Sequence, residues 1–139
     1  MTKEEVITKV KLLNLPKDSY VVFGSSPMAV AGIREANDID LLVSPEVYAN
    51  LREAGWQELY KGPHDSPLVH ELFEVHDSWS FSPYNPTLKH LLGSATVVDG
   101  VPFASLEEVR KWKVASGGQK HLADIKLIDA KLCDPAANT

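Results

Sequence analysis

Two aspartates separated by one residue carry the most specific chemistry in the sequence. Asp38 and Asp40 alternate with apolar residues in a pattern that predicts a strand over residues 38–43. Alternate side chains leave the same face of a strand, so the carboxylates lie side by side with Cα atoms roughly 6–7 Å apart. A divalent cation stabilises such a pair, and oxygen ligands suit Mg²⁺. An exposed strand end with two acidic residues is the structural alternative, and the spacing alone does not separate the two.

A glycine-serine turn precedes this pair. Residues 21–23 are an apolar run that predicts a buried strand, and Gly24, Ser25 and Ser26 follow it. Ser26 and Pro27 have the form of a helix start, with a hydroxyl cap and a proline at the first helical position. The free N–H groups of such a helix end, beside a glycine that lets a ligand approach, favour a phosphate group. The turn is therefore a predicted phosphate site.

The elements around these residues predict a small α+β fold. Capping residues and apolar periodicity predict helices over residues 2–14, 27–34, 44–55, 87–92, 105–116 and 120–132, and strands over residues 20–23, 38–43, 56–60, 69–77, 96–98 and 101–103. Two hairpins make the sheet mixed, with helices packed mainly on one face and Asp38 and Asp40 on the other. The last helix is expected to face the core with Leu122, Ile125, Ile128 or Asp129, and Leu132. Residues 80–87 are predicted as an irregular loop, either a pocket wall or an ordinary surface loop.

The combination of a glycine-serine turn, a short helix and an Asp-x-Asp strand resembles the nucleotidyltransferase superfamily that includes DNA polymerase β and the small antibiotic nucleotidyltransferases. Residues 73–79 look like the third-carboxylate strand of small bacterial members. Residues 112–113 and 120–125 are similar to their C-terminal helices. Together the similar segments reach from residue 20 to residue 132, which is most of the chain.

This resemblance implies a metal-dependent enzyme that moves a nucleoside monophosphate from a nucleoside triphosphate, such as ATP, to a hydroxyl-type acceptor on a small molecule or a protein. It implies that Asp38 and Asp40 hold Mg²⁺, or Mn²⁺. The glycine-serine turn would bind the nucleotide phosphates, and Lys113 and Lys120 are the candidate basic contacts to them.

A third carboxylate of this superfamily, which also holds the metal, is expected at Glu74. If its segment forms a strand beside the aspartate strand, Glu74 and His76 share one face while Phe73 and Val75 point to the core. Asp77 then lies on the wrong side unless a bulge intervenes. A solvent-facing glutamate is the structural alternative, and the sequence leaves the choice between Glu74 and Asp77 open.

Composition narrows the class of partner. The chain of 139 residues has 14 basic and 19 acidic side chains, and its formal charge of −5 argues against a broad nucleic-acid surface. It is predicted as one domain over residues 1–139, with a helix and linker over residues 1–19 and a flexible tail over residues 133–139. No signal-like segment or membrane-length apolar run occurs, so a cytoplasmic protein is expected. A homodimer is compatible with the sequence.

Cysteine and histidine usage excludes two further kinds of site. A single cysteine, Cys133, allows no internal disulfide, and its thiol has no predicted role. The five histidines show no close Cys/His pairing of the kind that structural zinc sites use.

Three other functions compete with nucleotidyl transfer. Haloacid-dehalogenase-type phosphatases and metal-dependent glycosyltransferases also use Asp-x-Asp, but there the pair commonly follows an apolar strand, whereas here the apolar run comes after it. The third is a non-catalytic nucleotide-binding or antitoxin-like protein-interaction module of the same fold. Superfamily members often have Arg-x-Lys-Asp where this chain has Gly118-Gln119-Lys120-His121, and this departure affects the basic contact to the nucleotide.

Overall fold

The computed structural model describes residues 1–63 and 65–133, and within them seven strands join in one sheet flanked by six α-helices. The helices are α1 (Lys3–Leu12), α2 (Ser26–Val30), α3 (Pro45–Glu53), α4 (Leu88–Gly93), α5 (Leu106–Ser116) and α6 (Leu122–Leu132). The strands are β1 (Tyr20–Phe23), β2 (Ile39–Val43), β3 (Gln57–Glu58), β4 (Leu68–His70), β5 (Phe73–His76), β6 (Thr96–Val98) and β7 (Val101–Phe103). One 3₁₀ turn, Gln119–His121, leads into α6.

The sheet has the strand order β3-β4-β5-β2-β1-β7-β6. At its centre β2 runs antiparallel to β1 and parallel to β5, and β1 is also parallel to β7. The remaining neighbours pair as antiparallel hairpins. This mixed sheet confirms the predicted α+β class, and it places β5 directly beside the strand that carries Asp40.

Side-chain caps set the helix starts, as the sequence predicts. Thr2 and Glu5 form a reciprocal capping box at the start of α1. The hydroxyls of Ser44, Thr87 and Ser105 each accept a backbone N–H in the first turn of α3, α4 and α5. Each cap satisfies a donor that the helix itself leaves unpaired.

Helices cover both faces of the sheet, which corrects the expectation that they pack mainly on one face. One apolar cluster joins α1 and α3 to Val22 and Leu41, and a second joins α4, α5 and α6 to Phe23 and Leu42. The physical reason lies in β1, whose four residues are all apolar and buried, so both of its faces must be shielded from water. The face that carries Asp40 is therefore partly covered.

Two strand predictions were too long. The predicted strand over residues 69–77 is divided into β4 and β5 by a two-residue turn at Glu71 and Leu72, where Glu71 has a φ of 53°. The predicted strand over residues 56–60 is reduced to the two residues of β3. These segments pair only where a neighbouring strand is in register, which local patterning does not reveal.

Two helix predictions are also corrected. Helix α2 ends at Val30 instead of Arg34, so Arg34 belongs to the irregular segment before β2. Helix α6 buries Asp124 and Ile128, whereas Leu122 is 54% exposed. A charged residue takes an inward position there because two cations pair with it, as described below.

Among the described helices none is long and apolar enough to cross a membrane. Cys133 is exposed immediately after α6, and the rest of the predicted tail, residues 134–139, lies outside the described residues.

Candidate active site

A cleft of about 490 Å³ lies between one sheet face and the C-terminal helices. Asp38, Asp40 and Glu74 line its sheet side, and Lys113 and Lys120 line the side formed by α5 and the 3₁₀ turn. The structure thus gathers the predicted carboxylates and the predicted basic residues around one cavity.

The floor of the cleft is the parallel pair β2 and β5. Asp40 and Glu74 are register partners in that pair, so their side chains leave the same face of neighbouring strands. Asp38 lies immediately before β2 and lines the same cleft. Burial, and then the charge of Glu74, raises the pKa of Asp38. Three carboxyl groups therefore lie close together at the floor.

Gly24 lies directly against the carboxylate of Asp40. It has a φ of 70°, and a Cβ at this position would overlap Oδ2 of Asp40 and lie 2.9 Å from its Cγ. Burial, followed by the charges of Asp38 and Glu74, raises the pKa of Asp40 to about 8. Without a bound cation this carboxyl is therefore largely protonated at neutral pH, and a cation that binds here must displace the proton.

Glu74 has partners of the opposite kind. Nζ of Lys61 lies 2.6 Å from Oε1 of Glu74, and Nε2 of His76 lies 3.3 Å from the same oxygen. The hydrogen bond from His76 outweighs burial and, together with that from Lys61, lowers the pKa of Glu74 to about 2. Glu74 is consequently ionised at neutral pH.

Three side chains at the floor of the cleft are close enough to share one cation. Asp40, Glu74 and His76 each offer a ligand atom, and these atoms all lie within 4.8 Å of one another. Carboxylate oxygens and imidazole nitrogen are both ligands of divalent metals, so the donor set fits a metal ion. The sequence predicts Asp38, Asp40 and Glu74 for this purpose, whereas the compact group contains His76 in place of Asp38.

The glycine-serine turn differs from the prediction at its two serines. Helix α2 starts at Ser26, its N-cap is Ser25, and no side chain caps it. The predicted hydroxyl cap at Ser26 is therefore wrong: Ser26 is fully buried, and its Oγ donates to the carbonyl of Asp38 at 3.4 Å. Ser26 supports the segment before β2, and Ser25 lines the cleft instead.

A buried ion cluster forms the opposite wall. Nζ of Lys113 lies 3.0 Å from Oδ2 of Asp124, and Nη1 of Arg34 lies 2.9 and 2.8 Å from the two oxygens of the same carboxylate. Burial acts to raise the pKa of Asp124, but hydrogen bonds from Lys113 and Arg34 hold it below its ordinary value. Since one carboxylate offsets only one of two cations, this wall has a net positive charge.

The departure from the Arg-x-Lys-Asp pattern is visible in this wall. Lys120 is exposed and lines the cleft, whereas His121 is buried with Nδ1 3.3 Å from Nζ of Lys113. Burial, and then the charge of Lys113, lowers the pKa of His121, which keeps its ring neutral. Arg34 supplies a guanidinium from a different part of the chain.

Aromatic side chains complete the wall. Trp79 lies 5.7 Å from Phe81 and 5.2 Å from Trp112 between ring centroids, and all three line the cleft. Phe81 belongs to the irregular loop over residues 80–87, so that loop does form part of a pocket. The buried Nε1 atoms of Trp79 and Trp112 and the buried Oγ of Ser25 have no hydrogen-bond partner among the described residues. Because buried donors normally have partners, these atoms are available to donate to an ordered water or to acceptor groups of a ligand in the cleft.

The position of Asp77 differs from that of Glu74. Asp77 is exposed and lines a neighbouring cavity with Tyr48 and Arg52, not the cleft that contains Asp40. The face predicted for Glu74 by strand parity is the one observed.

The lining side chains that were not predicted as site residues include Arg34, Lys61, His76 and Asp124. His76 had a usable signal, because it follows Glu74 at the spacing that keeps a side chain on the same face. Arg34 and Lys61 lie in irregular segments, where periodicity says nothing about direction.

The fold was compared with known proteins. No protein-family model matches the chain, and no curated protein sequence matches it. A crystal structure of ANT(2'')-Ia in complex with adenylyl-2''-tobramycin superposes with a TM-score of 0.54 at 16% identity, covering 97% of this chain and 90% of that chain. A solution structure of the antibiotic-resistance factor ANT(2'')-Ia gives 0.53 at 17% identity, covering 93% and 81%. This likeness confirms the resemblance at the level of the fold: the chain has the nucleotidyltransferase fold.

Proposed function

We propose that this protein is a metal-dependent nucleotidyltransferase, which moves a nucleoside monophosphate from a nucleoside triphosphate to a hydroxyl-type acceptor. The observation that carries the proposal is the pairing of two opposite charge groups across one cleft. Asp38, Asp40 and Glu74 lie on the sheet side, and Lys113 and Arg34 lie on the helix side. A metal-bound triphosphate needs both groups, since carboxylates hold the metal and cations hold the phosphate oxygens.

The carboxylates would hold a divalent cation such as Mg²⁺ or Mn²⁺. When bound, the cation would supply charge neutralisation for the phosphate that is transferred. Asp40 would be a ligand in its ionised form, and Gly24 leaves room for its carboxylate. Glu74, which is ionised at neutral pH, would also accept a hydrogen bond from the acceptor hydroxyl and orient it for attack.

The opposite wall would bind the triphosphate. Lys113, Lys120 and Arg34 are the candidate contacts to phosphate oxygens, and the free hydroxyl of Ser25 can donate to another. The acceptor hydroxyl then loses its proton to solvent water as its oxygen forms a bond to the α-phosphorus. The bond from that phosphorus to the β-phosphate oxygen breaks, and pyrophosphate leaves with its electron pair. Gly24 and Ser26 would act indirectly, through Asp40 and the segment before β2.

A small molecule is the acceptor class that the comparison favours. The ANT(2'')-Ia crystal structure contains adenylyl-2''-tobramycin, which is a small molecule that carries an adenylyl group. We infer that the acceptor would also contact a second surface beside the cleft. The neighbouring cavity lined by Tyr48, Arg52 and Asp77 shares His76 and Asp65 with the cleft and could contribute that surface.

The test uses nucleoside triphosphates labelled at the α-phosphate. The purified protein is incubated with each triphosphate, with Mg²⁺ or Mn²⁺, and with cell extract separated into small-molecule and protein fractions. Mass spectrometry should find a nucleotidylated species that is absent from reactions with Asp40→Asn, and pyrophosphate should be released in equal amount. Tobramycin serves as one defined acceptor.

The same experiment separates the alternative, a non-catalytic nucleotide-binding or antitoxin-like module. The ion pair between Lys61 and Glu74 favours this alternative, because it occupies a carboxylate that catalysis would need. Calorimetry that detects triphosphate binding, without a labelled product in any fraction, would support the module. Absence of both binding and product would refute nucleotidyl transfer and the nucleotide-binding module, and it would leave the protein-interaction module.

A further inference from the structure

His76 gives the floor of the cleft a nitrogen donor that the predicted set of three carboxylates lacks. It follows Glu74 on β5 by two residues, and Glu74 is the register partner of Asp40. One atom from each of these three side chains lies within 4.8 Å of the other two. Their positions are set by strand pairing, so the group is held by rigid elements of the fold.

The ring of His76 is oriented for this purpose by its neighbours. Nε2 lies 3.3 Å from Oε1 of Glu74, and Nδ1 lies 3.9 Å from Oδ1 of Asp65 on the other side. The ring also packs edge to face on Trp79, with centroids 4.8 Å apart. At 3.9 Å the contact with Asp65 is electrostatic and is not a hydrogen bond. Nε2 therefore faces the carboxylates that would share the metal.

The carboxyl groups around these donors are also suited to a cation. Asp40 and Glu74 are half-buried, and Asp38 adds a third carboxyl group nearby. Lys61 supplies one positive charge to Glu74 at 2.6 Å, but its side chain is 41% exposed and belongs to a loop. Lys113 is engaged by Asp124 on the other wall. The ammonium of Lys61 thus pairs with a carboxylate that a dication would also use.

A buried donor beside His76 is also available to a ligand in this cleft. Trp79, which packs on His76, is only 4% exposed, and its Nε1 has no partner among the described residues. An indole N–H is a donor only, so it requires an acceptor from outside these side chains, such as a water or an oxygen on a bound ligand.

We propose that Asp40, Glu74 and His76 form a mixed oxygen and nitrogen site for a divalent metal, and that His76 makes the site prefer first-row transition metals to Mg²⁺. Mg²⁺ favours oxygen ligands and gives up water reluctantly, whereas imidazole is a good ligand for the transition metals. The affinity is expected to increase from Mg²⁺ to Mn²⁺ and from Mn²⁺ to Co²⁺. The inference concerns the metal of the proposed nucleotidyltransferase, but it can be measured without nucleotide.

The main test compares metal affinities of the full chain by calorimetry in nucleotide-free buffer. Mg²⁺, Mn²⁺ and Co²⁺ are titrated into the unmodified protein, His76→Gln and His70→Gln. We expect Co²⁺ and Mn²⁺ to bind the unmodified protein at least about tenfold more tightly than Mg²⁺. Removal of a residue that only supports a metal ligand already lowers metal affinity about tenfold, so a direct nitrogen ligand should contribute at least as much. His76→Gln keeps a polar atom without the imidazole nitrogen, and it should lose this advantage. His70, whose side chain is 53% exposed, is the matched control and should have no effect.

A second measurement keeps the proposal testable if His76→Gln does not fold. Mn²⁺ is paramagnetic, so it should broaden the NMR signals of the His76 ring at substoichiometric amounts. Equal affinities for Mg²⁺ and Mn²⁺ in the unmodified protein, an unchanged preference in His76→Gln, or sharp His76 signals at full Mn²⁺ occupancy would each overturn the proposal.

Lys61 provides a further variant. If its ammonium competes with the metal for Glu74, Lys61→Gln should bind Mn²⁺ more tightly than the unmodified protein, and weaker binding would contradict the competition.

The test of the metal site can be separated from the test of the proposed function. Metal binding without nucleotidyl transfer would leave the metal site in place, and transfer without a His76 effect would leave the enzyme but assign its metal to other ligands.

Discussion

Asp40 on β2 and Glu74 on β5 are register partners in a parallel strand pair, and their carboxylates have opposite protonation behaviour. Burial and neighbouring charge raise the pKa of Asp40 to about 8, while His76 and Lys61 lower the pKa of Glu74 to about 2. Neighbouring carboxylates with such different environments are typical of sites that perform chemistry. A bound dication would favour the ionised form of both.

Asp40→Asn should abolish metal-dependent transfer and leave the fold intact. The substitution preserves the shape of the side chain beside Gly24 and removes only the charge that would bind the metal. We expect kcat to fall at least about 100-fold. Loss of a residue that only supports a metal ligand lowers activity about 10–100-fold, and Asp40 would be a ligand itself. Turnover is measured at saturating triphosphate and metal, with circular dichroism as the control for folding. Full activity in this variant would disprove the mechanism.

The stability of the metal-free protein should fall as pH rises from about 4 to about 8 through the contribution of Asp40. Its pKa is 3.8 when unfolded and about 8 when folded, so the folded state holds the extra proton throughout this range. This contribution is fully present below pH 4 and lost above pH 8. Asp40→Asn lacks it, and its unfolding free energy relative to that of the unmodified protein should therefore increase with pH. Urea unfolding with a chelator at pH 5 and pH 8 measures the difference, and a constant difference would contradict it.

Glu74→Gln and Asp77→Asn separate the two candidates for the third carboxylate. Glu74 lines the cleft, whereas Asp77 lines the neighbouring cavity, so only Glu74→Gln should reduce transfer and its response to metal. We expect Glu74→Gln to lower kcat at least about tenfold, because loss of a residue that supports a metal ligand already has an effect of about that size. Loss of transfer in Asp77→Asn alone would reverse the assignment.

Asp124→Asn should destabilise the fold strongly, because it leaves Lys113 and Arg34 facing each other without their shared carboxylate. The side chains of Lys113 and Asp124 are only 4% and 10% exposed, and removal of one partner from such a buried pair costs about 3–5 kcal/mol. Asp129→Asn is the matched control on the same helix: it removes an exposed pair with Arg110 and should cost far less. Equal effects of the two variants in denaturant unfolding would contradict this account of the cluster.

Gly24→Ala should weaken metal binding through Asp40. The alanine must adopt a left-handed conformation, which costs about 1–2 kcal/mol, and its Cβ would also displace the carboxylate of Asp40. Gly32→Ala is the matched control, because Gly32 has a φ of 77° and no heavy atom within 4 Å of the added Cβ. Both variants should lose similar stability from the backbone, and only Gly24→Ala should lose affinity for Mn²⁺. Equal Mn²⁺ affinity in the two would show that the contact with Asp40 is unimportant.

Local patterns were sufficient to predict much of this fold. The strands over residues 20–23, 96–98 and 101–103 have the predicted bounds, and the caps at Thr2, Ser44 and Ser105 start helices where expected. These features depend on neighbours within a few residues, so their physics is contained in a short stretch of sequence. Strand parity likewise predicted the face of Glu74, because alternation is a property of a single strand.

Long-range contacts decided the remainder. The group of Asp40, Glu74 and His76 exists because β2 and β5 pair in one register, and a shift by one residue would place Glu74 on the other face. The inward position of Asp124 depends on Lys113 and on Arg34, which is 90 residues away in sequence. An isolated aspartate is unfavourable at a buried helix position. Apolar periodicity therefore predicted that Leu122, and not Asp124, faces the core. Burial of a charge becomes favourable only when tertiary structure supplies its partners, and no local pattern contains that information.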